Sequence, residues 1–162
     1  MSEHLDEGTA PCSECGAVLP AGGDCWDRVH ELLEIEARLL PGIDDVETGM
    51  RAHYFAIATY QLQHPSRLTT AAVAQLRDGV RRMLASDPPP IDHLRRQVRG
   101  FAEGPRRVTR RASAGDRAHV PHWPTRWTMT ATDVIGRPDA EYADTVGDWA
   151  RRTLDDLDGL GP

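Results

Sequence analysis

The sequence predicts an all-α protein, a small bundle of five or six helices behind an N-terminal cysteine knuckle. Three observations predict it. Apolar residues recur at helical spacing through most of the chain. Proline and glycine fall between those stretches rather than inside them, and no alternating strand pattern of comparable length competes. At 162 residues and 40% hydrophobic content the chain can bury a core without disulfides, so it reads as one domain over 1–162. Within it, 1–24 form an arm, 25–103 a helical core, 104–129 an arginine- and proline-rich loop, and 130–162 the C-terminal helices.

The first helix begins behind Asp24, a good N-cap, and places Trp26, Val29, Leu32, Leu33, Ile35, Leu39 and Leu40 at roughly helical spacing until Pro41-Gly42 stops it. IDDVETG then reads as a turn-rich connection, and a second helix is expected from Gly49 to Gln63, ended by Pro65. Two helices of similar length on a short loop form an antiparallel hairpin. A third helix, Thr69 or Thr70 to Leu84, carries an apolar stripe from Ala72 to Leu84. SDPPP breaks the chain before a fourth, basic helix from Ile91 to Glu103. Thr130 and Asp133 have capping-box spacing and open a short helix. A last helix after Pro138 runs to Leu157 and buries Tyr142, Val146, Trp149 and Leu154. Trp26 and Trp149 are expected in the core, with Trp123 and Trp127 sealing the bundle from the WPTRW segment.

No run of 18 apolar residues occurs, and the opening MSEHLDEGTAP is acidic, without the basic and apolar regions of a secretory signal. The reading is therefore a cytoplasmic protein with no membrane partner. All 19 basic side chains are arginine, which points to codon bias in a GC-rich bacterial genome. The net charge of −6 is unevenly spread: residues 1–50 hold 12 acids and 2 bases, residues 91–130 hold 3 acids and 9 bases. Arg95, Arg96, Arg99, Arg106, Arg107, Arg110 and Arg111, with His119, His122, Trp123 and Trp127 beyond, have the composition of a nucleic-acid or anion surface. Pairing of that segment with the acidic helices of the same molecule is the favoured explanation.

The cysteines carry the clearest chemistry. In PCSECGAVLPAGGDCWDRVHELL, Cys12-x-x-Cys15-Gly16 is a knuckle that lets two thiolates face one ion, and Cys25 lies ten residues on at a helix start. A helix N-terminus favours a thiolate. An odd number of thiols in a reducing compartment argues for metal ligation over disulfides, and thiolate-rich ligation suits Zn²⁺. A fourth ligand must come from His4, His30, His53, His64, His93, His119 or His122. In HYFAIATYQLQHP, His53, Tyr60 and His64 share one helix face, but eleven residues separate the two histidines by roughly 16 Å, so one ion cannot take both. An antiparallel hairpin sets Cys25 beside His64. The expected site is Cys12, Cys15, Cys25 and His64, with His53 in reserve.

The ordered set Cys12-x-x-Cys15-Gly16, Cys25-Trp26, His53 with Tyr60, Gln63-His64-Pro65 and Thr130-x-x-Asp133-Val134 resembles an uncharacterised bacterial family known only as a domain of unknown function. The resemblance implies that Cys12, Cys15, Cys25, His53 and His64 form one functional set. Ala58 departs from an acidic position of that family, and Asp24 from a commoner glycine. If that acid is catalytic in relatives, this chain has lost the activity.

Three function classes follow. A closed Cys3His site is structural, because four protein ligands leave no place for water. A metal-dependent, hydrolase-like enzyme needs an open position holding activated water near His53 and His64, with His53, Tyr60 and Asp27 as proton carriers. No HExxH, phosphate-binding glycine loop or nucleophile motif accompanies that reading. The third class is a module that binds nucleic acid or another anionic partner through Arg95 to Arg111.

Overall fold

The computed structural model describes residues 10–19, 23–102 and 123–160. Among these, six α-helices follow in order: α1 Cys25–Leu39, α2 Val46–Gln63, α3 Thr70–Met83, α4 Ile91–Ala102, α5 Ala131–Ile135 and α6 Tyr142–Asp158. The all-α expectation is met.

Local chemistry sets the helix starts. The Asp24 carboxylate accepts from the amides of Trp26 (2.8 Å) and Asp27 (3.2 Å), and Asp27 reaches back to the Asp24 amide at 3.0 Å. The Thr69 hydroxyl caps α3 through the Ala72 amide, and the Thr130 amide donates to Asp133 at the start of α5. One boundary differs from expectation. Helix α2 opens at Val46 rather than Gly49, because Asp45 caps the Glu47 amide at 3.1 Å and brings Val46, Glu47 and Thr48 into the helix.

Helix α2 is the hub. Its most extensive contact is with α6, and α1, α3 and α4 pack on its other sides. It therefore buries Ala52, Phe55, Ala56, Ala58, Thr59, Tyr60, Leu62 and Gln63 around much of its circumference instead of along one stripe. Gln63 closes the junction with α6, its amide donating to the Met129 carbonyl (2.8 Å) and the Thr153 hydroxyl (3.0 Å). Across it α6 buries Tyr142, Val146, Trp149, Ala150, Leu154 and Leu157 at helical spacing. Asp158 at its end accepts from Arg77 and Arg81 of α3 at 2.6 and 2.7 Å.

The two half-buried indoles of the WPTRW segment tie it down: Trp123 donates to the Leu62 carbonyl at 2.8 Å and Trp127 to the Glu14 carbonyl at 3.2 Å. Both pack against the core, as a seal should. Trp26 does not meet expectation: it is 47% exposed. The buried stripe of α1 runs Cys25, Val29, Leu32 and Glu36, and position 26 lies about 100° round the helix from it. The loop 104–122 and His4 lie outside the described residues, and with them Arg106, Arg107, Arg110, Arg111, His119 and His122 of the basic segment.

Trp149 of α6 is fully buried. Trp149→Ala is expected to cost about 3–5 kcal/mol in urea unfolding, the range for deleting a large core aromatic.

Candidate metal centre

Cys12, Cys15, Cys25 and His64 converge. Their ligand atoms all lie within 4.8 Å of one another, with Cys15 and Cys25 buried and the other two half-buried. The Cys15 and Cys25 sulfurs are 3.5 Å apart, and Cys12 Sγ is 3.6 Å from His64 Nε2. A tetrahedral zinc with bonds of about 2.3 Å to sulfur holds its donors about 3.8 Å apart, so this spacing and donor set fit such an ion.

Each ligand is placed by a local feature. The knuckle turns because the Gly16 amide bonds the Cys12 carbonyl and the Cys12 amide bonds the Ala17 carbonyl, both at 2.8 Å. Pro11 and Val18 then pair as an antiparallel bridge. Gly16 has φ 74°, and a Cβ there would stand 2.6 Å from the Thr125 carbonyl oxygen, so only glycine fits. Cys25 is the first residue of α1, where unpaired helix amides favour a thiolate. His64 follows the last residue of α2, pushed out of helical geometry (φ −129°, ψ 62°) ahead of Pro65. Its Nδ1 lies 2.7 Å from the Tyr60 carbonyl. A carbonyl only accepts, so Nδ1 carries the proton and Nε2 presents its lone pair to the cysteines. The Tyr60 ring stacks on the imidazole with centroids 4.0 Å apart, and Trp26 meets Tyr60 edge-on.

Glu14, inside the knuckle, couples it to the rest. Its carboxylate accepts from the Ser66 amide at 2.9 Å, just beyond His64, and its carbonyl accepts from Trp127. Within the buried thiol pair, the hydrogen bond from Cys25 holds the Cys15 thiol down to about 4, and the same bond pushes Cys25 up. Their sulfurs, 3.5 Å apart, are placed for one hydrogen bond between them. A cation among them would displace its proton, as metal ligation displaces thiol protons.

His53 is not part of this group. It faces Glu36 of α1, Nδ1 to Oε2 at 2.6 Å, and the other carboxylate oxygen accepts from the Tyr142 hydroxyl at 2.6 Å. The reserve ligand therefore stands at the opposite end of the α1 and α2 pair, outside the cysteine cluster. Asp27 is engaged in capping α1, and Tyr60 in stacking on His64. Sequence reasoning named Tyr142 only as a core residue and did not single out Glu36 or Glu14. For Glu36 a signal existed: a carboxylate seven residues from Val29 and four from Leu32 sits on the apolar stripe.

A pocket of about 660 Å³ opens beside the knuckle, bounded by Cys12, Cys15, Val18, Arg126, Trp127 and Asp133.

A family described as "Family of unknown function (DUF5946)" matches residues 10–158. The chain belongs to DUF5946. The matched span runs from the knuckle to the end of α6, so the whole DUF5946 fold described above and all four clustered residues lie within it. No curated protein and no solved structure matches the chain.

Two outcomes test this geometry. Gly16→Ala is expected to lose more than about 1 kcal/mol in urea unfolding, because a left-handed backbone and a backbone oxygen both oppose the new methyl. For His53, the hydrogen bond its Nδ1 donates to the Glu36 carboxylate raises the imidazole above its ordinary range against the lowering effect of burial. The protonated pair thus contributes stability in full below the unfolded imidazole range, and that contribution fades as pH rises through the raised folded value. Urea midpoints measured across neutral to alkaline pH should fall more for wild type than for His53→Gln.

Proposed function

We propose that this protein is a bacterial, cytoplasmic zinc protein in which Cys12, Cys15, Cys25 and His64 hold one Zn²⁺ in a closed structural site. The convergence of three thiols and one imidazole within 4.8 Å carries the reading. Zinc is the metal that this soft, four-donor set favours. All four donors come from the protein, so no coordination position is left for substrate, and the ion serves to fasten the arm to α1 and α2. Such a site contributes apparent folding energy on the order of 10 kcal/mol. The arm needs it, since residues 10–19 place only Cys15 and Ala17 in the buried core. No membrane partner enters this reading: among the described residues no helix is long and apolar enough to cross a membrane.

A second reading rests on the pocket beside Cys12 and Cys15, which would bring a ligand close to the ion and make the centre a metal-dependent enzyme. The exposed Arg126 at its wall suits an anionic ligand there. The closed reading is preferred because His53, the proton carrier an enzyme would need, stands away from the cluster.

Elemental analysis of untagged protein is expected to give one zinc per chain, retained in His53→Ala and lost in His64→Ala. Metal retained in His64→Ala would sink the fourth ligand. Cobalt-substituted protein should show a tetrahedral visible spectrum that azide or cyanide leaves unchanged; a spectral shift on adding either anion would establish an open site and favour the enzyme.

A further inference from the structure

Away from the cysteines, Glu36 is a carboxylate at a core position, only 3% exposed. Its two oxygens are each used once, Oε1 by the Tyr142 hydroxyl and Oε2 by His53 Nδ1, both at 2.6 Å. The His53 side chain is 43% exposed while the carboxylate it holds is 4% exposed. The imidazole is thus a bridge, with Nδ1 turned inward to a buried anion. Among the described residues Nε2 has no hydrogen-bond partner. A carboxylate that holds Nδ1–H fixes the tautomer, leaves the lone pair on Nε2 and stabilises the imidazolium that forms when Nε2 reacts.

We propose that Glu36, His53 and Tyr142 form a second chemical centre, in which Nε2 of His53 is a nucleophile toward an uncharged activated acyl compound such as an ester. His53 is the reacting residue; Glu36 and Tyr142 are positioning residues, one orienting the ring and the other orienting the carboxylate. In the first step the Nε2 lone pair bonds to the acyl carbon, and the carbon–oxygen bond to the alcohol breaks, its electron pair leaving as alkoxide. The ring becomes an acyl-imidazolium whose Nδ1–H faces the Glu36 carboxylate. Water then adds to the acyl carbon and gives up a proton, which solvent carries to the alkoxide; the carbon–nitrogen bond breaks and its pair returns to Nε2. The net change is ester plus water to acid plus alcohol.

The acyl group is uncharged because the surroundings are acidic. The Glu36 carboxylate itself lies 2.6 Å from the ring, and the turn that leads to Tyr142 carries Asp139 and Glu141. The cations two residues from the pair on the same helices are already engaged, Arg51 of α2 with Glu47 at 3.5 Å and Arg38 of α1 with Asp139 at 3.1 Å. Among the described residues these pairings disfavour a phosphate or a carboxylate. The centre also stands apart from the metal site, since His53 and His64 are roughly 16 Å apart along α2.

The probe is 4-nitrophenyl acetate, given to the purified full chain with its metal content measured in the same samples. Expected results are release of 4-nitrophenolate, an acetyl group located on His53 by peptide mass spectrometry, and loss of both in His53→Gln, whose amide can still donate to Glu36. Glu36→Gln should slow release by about tenfold and lower the pH midpoint of the rate, because the carboxylate no longer holds the charged ring. Tyr142→Phe, which keeps the carboxylate, should slow release less and keep a raised midpoint; circular dichroism checks that each variant folds, and this variant decides the positioning role if Glu36→Gln does not. A rate unchanged in His53→Gln, or acetylation of His53 no faster than of His93 and unaffected or quickened by freeing the ring from Glu36, would overturn the proposal. Zinc content unchanged across these variants separates that failure from any failure of the metal reading.

Discussion

The antiparallel packing of α1 against α2 is the constraint on which both clusters depend. With the two helices running in opposite directions, the first residue of α1, Cys25, meets the residue that ends α2, His64. At the other end Glu36 meets His53. Slipping one helix along the other by a single turn, about 5.4 Å, would part both pairs together. The loop between the helices is short, a 3₁₀ turn at Leu40–Gly42 and the Asp45 cap, so it leaves little room for such a slip.

On that frame the N-terminal arm is held by chemistry rather than by apolar area. Its turn is built from two backbone hydrogen bonds and one left-handed glycine. Glu14 bonds on one side to the chain just past His64 and on the other to Trp127. These contacts place the knuckle against the end of α2, yet each exposed hydrogen bond contributes only about 1 kcal/mol net. Shared ligation of an ion by the knuckle, α1 and the end of α2 would be the strongest link among them. The same logic explains why His64 is a good donor for such a role: Tyr60 fixes the ring by hydrogen bond and by stacking before any ion arrives.

The burial of Glu36 has the opposite character. A carboxylate at a core position costs free energy unless its oxygens are paired, and here one partner comes from α2 and the other from α6. It therefore joins three helices at the end of the molecule remote from the cysteines. A leucine at position 36 would fill the stripe at lower cost, so the charge makes sense as a specific arrangement rather than as packing.

Much of this was written in the chain itself. Asp24, Thr69 and Thr130 mark helix starts because a short side-chain acceptor satisfies amides only a few residues away, and Pro41 and Pro65 mark ends because proline removes a donor locally. The spacing of Cys12, Cys15 and Cys25 and the hairpin argument for His64 were legible for the same reason: they depend on turn geometry and on two adjacent helices. Tertiary structure decided the rest. Whether Trp26 faces in or out depends on which neighbours cover that side of α1, and α2 is buried on several faces only because α1, α3, α4 and α6 all pack upon it. Glu36 finds Tyr142 across 106 residues, a distance over which no local periodicity carries information. The sequence by itself determined most helix starts and stops and the four side chains that converge as a possible metal group, since those follow from bonds a few residues long and one helix hairpin; the partners of Glu36, Trp26 and Glu14 were decided only when distant helices came together.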